Sequence, residues 1–437
     1  MSDLAELEPR LVTDQRPVNT KLPAGLLWSI PFYALLVGHF VTDTYSAIIP
    51  AILSKVEQSV ALSAGLSAWL LGVGALSSGL SQPIFALLSD RLNTRIFAGL
   101  GLILSSSFIC TIPLLTSSRA VFIHYVIGMI GVGMFHPVAA SVIGQISPQQ
   151  RSLAVSLFFV CGMIGGVSGS ILAPAIINGQ VAFLPSLIAL IPFGLTIAIA
   201  IQILIRGIQH KQSRPIASYG KRGVAEPKQF HTPTATILLL YISSAIRFFV
   251  NVSLLYLFTR WATESVQVNT VGLSDDAMSD LASTVNGRLN AMMIVGMGFG
   301  GLVAGMTVPQ GREKLPLILV PIVFAPAIAI YPFVDNNAIR YLLSFLAGIG
   351  FSAMVPVTVA LAQRLLPFRT SFASGLMLGG AWAVSALGPP FASWLVTSFG
   401  LSQAFVAVAA VLMFSGVVAI FVPNHLIKQS ADSRLQN

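Results

Sequence analysis

The sequence predicts an all-α membrane protein, with twelve transmembrane helices arranged as two pseudo-symmetric six-helix bundles. Three observations predict it: a composition too apolar for water, twelve apolar runs of membrane-crossing length, and a pattern of glycine and proline that repeats between the two halves. Of 437 residues, 55% are hydrophobic and 9% are charged, with a mean hydropathy of +0.83. A soluble domain carries about a quarter charged residues, so this chain lacks the polar groups to cover a surface in water. A bilayer is the solvent that fits it.

The apolar runs fall near residues 26–49, 63–88, 96–115, 121–145, 153–178 and 184–205, and then near 234–259, 280–307, 315–334, 338–363, 371–395 and 402–422. Each approaches the roughly 20 residues a helix needs to cross the hydrocarbon. They divide the chain into a tail (1–25), a first bundle (26–205), a linker (206–233), a second bundle (234–422) and a second tail (423–437). The linker, RGIQHKQSRPIASYGKRGVAEPKQFHTP, mixes six basic residues with Gly, Pro and Ser, the composition of a flexible connection.

The basic residues orient the helices. With the N-terminus placed in the cytoplasm, 18 of the 24 Lys and Arg fall in cytoplasmic segments. Lys55, Arg119, Arg260 and Arg340 fall opposite, and Arg247 and Arg288 lie within spans. This bias predicts both termini on the cytoplasmic side of a bacterial inner membrane. It also accounts for the net charge of +9 without nucleic acid, whose recognition needs the charge gathered on one folded face. The polar, acidic start MSDLAELEPR is unlike a cleaved signal peptide, so the first apolar run is expected to remain as a helix. Cys110 and Cys161 each lie in an apolar segment and predict neither a disulfide framework nor a thiolate metal site.

The repeat is clearest around the fourth and tenth helices, GMIGVGMFHPVAASVIGQISPQQR and AGIGFSAMVPVTVALAQRLLPFR. At a constant offset Gly131 aligns with Gly350, Pro137 with Pro356, Pro148 with Pro367 and Ala154 with Ala373. A duplicated six-helix unit is the organisation expected of transport by rocking two halves about a central site.

Ionisable side chains are costly in hydrocarbon, so those present usually face a cavity and act there. Asp43 alone among the acids lies well inside a proposed span. His39 stands four residues before it on the same helical face. The pair is a candidate proton acceptor, or a structural pair in which Asp43 merely accepts hydrogen bonds. His136, next to Pro137 in a glycine-rich helix, is either a third member of the proton path or a packed histidine bonded to a backbone carbonyl. Arg247, with Asn251 one turn on, lies as deep in the seventh helix as His39 does in the first. A guanidinium there suits a carboxylate or phosphonate; the alternative is an ion pair with Asp43. Arg288 and Tyr45 complete the candidate substrate contacts, and Arg288 has the alternative of reaching to the interface. Gly162, Gly165, Gly166 and Gly169 in the fifth helix predict close helix packing.

Three stretches carry a family resemblance: HFVTD (39–43), GMFHP (133–137) and AQRLLPFRTSFASGLMLGG (362–380). With the 6+6 pattern they resemble the fosmidomycin-resistance-type transporters of the major facilitator superfamily. ALLSDRLNTR (86–95) is similar to that superfamily's cytoplasmic loop motif, with Asp90, Arg91 and Arg95 in place and Ala86, Asn93 and Thr94 departing from it. The resemblance implies that Asp90, Arg91 and Arg95 form a conformational latch. Where many members carry an acid after FHP, this chain has Val138.

The expected function is proton-coupled efflux, by antiport, of a small polar or anionic compound such as an antibiotic or a siderophore-like metabolite. The alternative is proton-coupled or facilitated uptake of a small organic anion. A receptor or assembly factor on the same fold is a third class, but no long additional domain supports it. The expected partners are the solute, protons and the lipid bilayer, with the chain a monomer and not an enzyme. No Walker A pattern predicts ATP drive, no Ser-His-Asp arrangement predicts a catalytic group, and neither a cofactor nor a metal site is expected.

Overall fold

The computed structural model describes residues 29–92, 96–146, 151–205, 234–270, 272–366 and 370–432. Both tails beyond these limits and the linker 206–233 therefore lie outside the described residues. The first six membrane helices are α1 (Ile30–Ala51), α3 (Ala64–Leu92), α4 (Ile96–Cys110), α5 (Ser118–Ile146), α6 (Arg151–Ile177) and α7 (Ile191–Leu204), with the short α2 (Leu53–Ser59) between the first two. The second set is α8 (Thr234–Asn269), α9 (Asp275–Thr307), α10 (Lys314–Ala329), then α11 (Asn337–Ser352) followed by α12 (Val355–Leu365). It continues through α13 (Thr370–Gly375), α14 (Ala381–Val384) and α15 (Gly388–Phe399), and ends with α16 (Leu401–Ile420) and α17 (Asn424–Asp432).

Among the described residues, eleven stretches are long and apolar enough to cross a membrane. The eleventh crossing in chain order, residues 370–399, is divided instead: a π-helical turn at Leu376–Gly380 and a 3-10 turn at Ser385–Leu387 separate α13, α14 and α15. Its Gly-rich and Gly-Pro-Pro stretches resist a continuous α-helix, because glycine is entropically costly there and proline lacks the N–H. The break lies against α3, where a side chain at Gly79 would collide with the backbone of Ala383. Counted with it, the described residues make twelve crossings of an all-helical, multi-pass membrane protein.

Two helices outrun the apolar runs that predict them. α8 continues to Asn269, ten residues beyond the expected end at 259, because its first polar residue there is neutralised: Arg260 pairs with Glu57 and lies over the Tyr256 ring at 5.4 Å. α9 begins at Asp275, where Ser274 caps the helix by accepting from Ala277 N at 3.3 Å and two aspartates occupy the first turn. An N-cap and negative charge at that end both favour helix. The short α2 and the terminal α17 have no counterpart among the expected spans.

Within each set the helices meet through glycine. α6 lies along α1, and a side chain at Gly165 or Gly169 would strike the backbone of Phe40 or Thr44. Between the sets, α6 packs on α9, and α3 packs on the divided crossing. The polar bonds joining the sets gather at the end of the bundle away from Ile30 and Leu204. Asn286, fully buried, donates to the carbonyls of Pro50 at 2.7 Å and Ala51 at 3.1 Å. Ser54 bonds Ser283 at 2.8 Å, Lys55 reaches Asp276 at 2.5 Å and Asp280 at 2.7 Å, and Glu57 pairs with Arg260. Burial disfavours the Lys55 ammonium, but Asp276 and Asp280 outweigh it and raise its pKa.

Candidate functional site

Three helices bring one acid and two imidazoles together. α1 carries His39 and Asp43 one turn apart, and His39 Nε2 lies 3.3 Å from Asp43 Oδ2. α5 brings His136, whose Nε2 lies 3.0 Å from Asp43 Oδ1. α6 supplies the carbonyl of Phe158, which accepts from His39 Nδ1 at 2.7 Å. On its own helix the carbonyl of Val132 accepts from His136 Nδ1 at 2.7 Å. A carbonyl can only accept, so both Nδ1 atoms carry hydrogen and both Nε2 atoms are directed at the one carboxylate.

Packing fixes these rings. His39 stacks on Phe158 with centroids 3.8 Å apart and meets His136 edge-on at 4.9 Å. His39 is buried, whereas the side chains of Asp43 and His136 keep 20% and 21% of their surface. Gly162 of α6 completes the wall: a Cβ there would stand 2.5 Å from Asp43 Oδ2 and 2.6 Å from His39 Nε2. Val138, next to the FHP stretch, is buried in the apolar core.

The second set of helices places Arg247 in α8 with no exposed surface. Its Nε donates to the Ser243 carbonyl at 3.0 Å, and its Nη2 to Ser243 Oγ at 3.2 Å and Thr358 Oγ1 at 3.3 Å. Nη1 is buried without a hydrogen-bond partner. Among the described residues no carboxylate lies within ion-pair distance of Arg247, so the alternative pairing with Asp43 is not formed. Removing such an ion from water costs several kcal/mol unless an anion meets it.

The other candidates separate. Asn251 is buried near Arg247 on α8 and its Nδ2 faces Met297 Sδ at 3.7 Å. Arg288 is exposed on α9. Tyr45 is turned to the opposite side of α1 from Asp43, since two residues advance a helix by about 200°; its hydroxyl donates to the Leu190 carbonyl at 2.8 Å and packs against Gly194. Its place is inside the first set of helices, away from the acid and imidazoles. Asp90 and Arg91 end α3, but their side chains, like all of Arg95, lie outside the described residues.

Sequence reasoning missed the Phe158 carbonyl that anchors His39, the Ser243 and Thr358 contacts of Arg247, and the bonds at the far end. Ser243 had a signal, standing one turn before Arg247. The Phe158 anchor had none, because every residue offers a carbonyl.

The sequence profile of the Major Facilitator Superfamily matches residues 35–274 and 266–436. The fosmidomycin resistance protein of Escherichia coli K12 is 23% identical over 404 residues, covering 90% of this chain and 92% of that one. An uncharacterized MFS-type transporter of Bacillus subtilis 168, YfnC, is 24% identical over 426 residues, covering 94% and 95%. Among solved structures, a bacterial homolog of the human lysosomal transporter Spinster, inward-facing and unoccupied, superposes with a TM-score of 0.68 at 17% identity, covering 92% of this chain and 97% of that one. A D-xylose–proton symporter gives 0.66 at 16% identity, covering 91% and 98%. These structural likenesses bear on the fold.

Proposed function

This chain belongs to the Major Facilitator Superfamily and is a secondary transporter, and from that premise we propose that it expels a small polar anion in exchange for protons. The observation that carries the reading is Arg247, a fully buried guanidinium with an unpartnered Nη1 and no carboxylate within ion-pair distance among the described residues. A transported carboxylate or phosphonate supplies the missing anion and forms charge-assisted hydrogen bonds with it. Asn251, one turn on, adds an amide beside that anion. Protons are taken up by Asp43 with His39 and His136, the only described cluster of acid and imidazole in the interior of the helices. The name of the Escherichia coli relative supports an antibiotic or secreted metabolite as the solute and efflux as the direction.

The two sets of helices rock about this centre, and both termini face the cytoplasm by the bias of basic residues. The bonds from Asn286, Ser54, Lys55 and Glu57 close the far end.

The test is solute-stimulated proton movement in proteoliposomes under an imposed pH gradient, with phosphonates, carboxylates and chelators as solutes. Protons moving against the solute establish antiport. Protons moving with it establish uptake in place of efflux, and no coupled movement with any of the solutes removes the reading.

A further inference from the structure

His39 Nε2, one Asp43 carboxylate oxygen and His136 Nε2 all lie within 4.8 Å of one another. We propose that these three side chains bind a divalent transition-metal cation, of the class of Zn²⁺ or Co²⁺. The proposal adds a ligand to the centre on which the transport reading rests, and it is measured independently of that reading.

Four observations carry it. First, the donor set is two imidazoles and a carboxylate, which suits first-row divalent cations and leaves coordination positions open for water or a bound solute. Second, the spacing fits. Bonds of about 2.0–2.2 Å to nitrogen and oxygen put neighbouring ligand atoms roughly 3.0–3.5 Å apart. The two contacts to Asp43 measure 3.3 Å to Oδ2 and 3.0 Å to Oδ1, one imidazole on each carboxylate oxygen, which a carboxylate bound through both oxygens matches.

Third, both imidazoles are oriented as metal ligands are. Each donates its Nδ1 hydrogen to a backbone carbonyl, Phe158 or Val132, at 2.7 Å, which is the outer-shell contact that fixes tautomer and ring plane in metal sites. In the neutral imidazoles the two Nε2 lone pairs then face carboxylate oxygens, an arrangement that repels until a proton or a metal cation lies between them. Fourth, the backbone beside the ligands is kept free of a side chain. A side chain at Gly162 would crowd Asp43 Oδ2 and His39 Nε2 at 2.5 Å and 2.6 Å, so only glycine lets α6 pack there without displacing two of the ligand atoms. Stacking of His39 on Phe158 at 3.8 Å holds the first ligand in place.

The chemistry distinguishes this centre from the anion point at Arg247. A cation on the triad and an anion on Arg247 are opposite demands met by different helices.

The experiment uses the full chain, purified in detergent, stripped with a chelator and titrated with Co²⁺, whose visible absorption reports nitrogen and oxygen ligation. One Co²⁺ per chain is expected, displaced by Zn²⁺. Affinity falls by at least about 100-fold in His136→Gln, the upper range seen when even outer-shell partners are lost. Gly162→Ala, which keeps all three ligands, weakens binding by crowding and serves if the histidine variant does not remain monodisperse. No Co²⁺ absorption, or absorption unchanged in both variants, overturns the proposal. A chain that exchanges solute for protons but shows no Co²⁺ absorption keeps the transport reading and loses this one; the converse result separates them the other way.

Discussion

His136 Nε2 lies 3.0 Å from Asp43 Oδ1 although 93 residues separate them in the chain. The contact turns a local pair on α1 into a centre built by α1, α5 and α6, because the second imidazole arrives from a helix that packs across α1. Every role proposed for Asp43 runs through this contact.

Replacing Asp43 by Asn keeps the shape and removes the charge that both imidazoles share. Proton-driven flux is expected to fall at least about tenfold, which is a barrier change of ~1.4 kcal/mol, with expression and monodispersity retained. Flux under an imposed pH gradient in proteoliposomes is the measurement, and full activity would take Asp43 out of the mechanism.

Arg247→Met removes a buried ion that has no carboxylate partner among the described residues. Replacing such an ion by an apolar side chain of similar volume is often neutral or stabilising, so the melting temperature is expected to hold or rise. Binding of anionic solutes is expected to weaken about 10- to 100-fold, the worth of a hydrogen bond to a charged group at ~1.5–3 kcal/mol. A variant that melts early with unchanged solute affinity would show that Arg247 is structural.

Asn286 ties α9 to α1 through the Pro50 and Ala51 carbonyls. Asn286→Ala strips those bonds and leaves buried carbonyls unsatisfied, at a cost of about 1–3 kcal/mol to the closed far end. The population open at that end rises accordingly. A cysteine placed at Ser283, which is fully buried against Ser54, is expected to react faster with an impermeant maleimide in the Asn286→Ala background. Equal rates would remove Asn286 from the closure.

The glycines of α6 separate by what they touch. A Cβ at Gly165 would strike the Phe40 backbone, whereas one at Gly166 would meet only the Ile294 side chain at 3.4 Å. Gly165→Ala is therefore expected to destabilise by about 1–3 kcal/mol through overpacking, and Gly166→Ala to leave the thermal melt near its starting value. Comparable melts for the two variants would remove the close approach of α1 and α6 as the reason for the glycine.

The membrane class, the approximate spans and the pairing of His39 with Asp43 were legible in the sequence. Each rests on composition or on helical periodicity, which act over a few turns of one helix. The i,i+4 spacing placed His39 and Asp43 together before any packing was known, and Gly165 and Gly169 announced a close neighbour without identifying it. Tertiary structure alone decided that the neighbour is α1, that His136 completes the centre, that Tyr45 faces away, and that Arg247 meets no carboxylate among the described residues. It also decided that Arg260 is helical, because Glu57 comes from α2 to neutralise it. The physical reason is common to all of these. Contacts between helices depend on the rotation and depth at which each helix packs, and those are set by the whole bundle rather than by any segment within it.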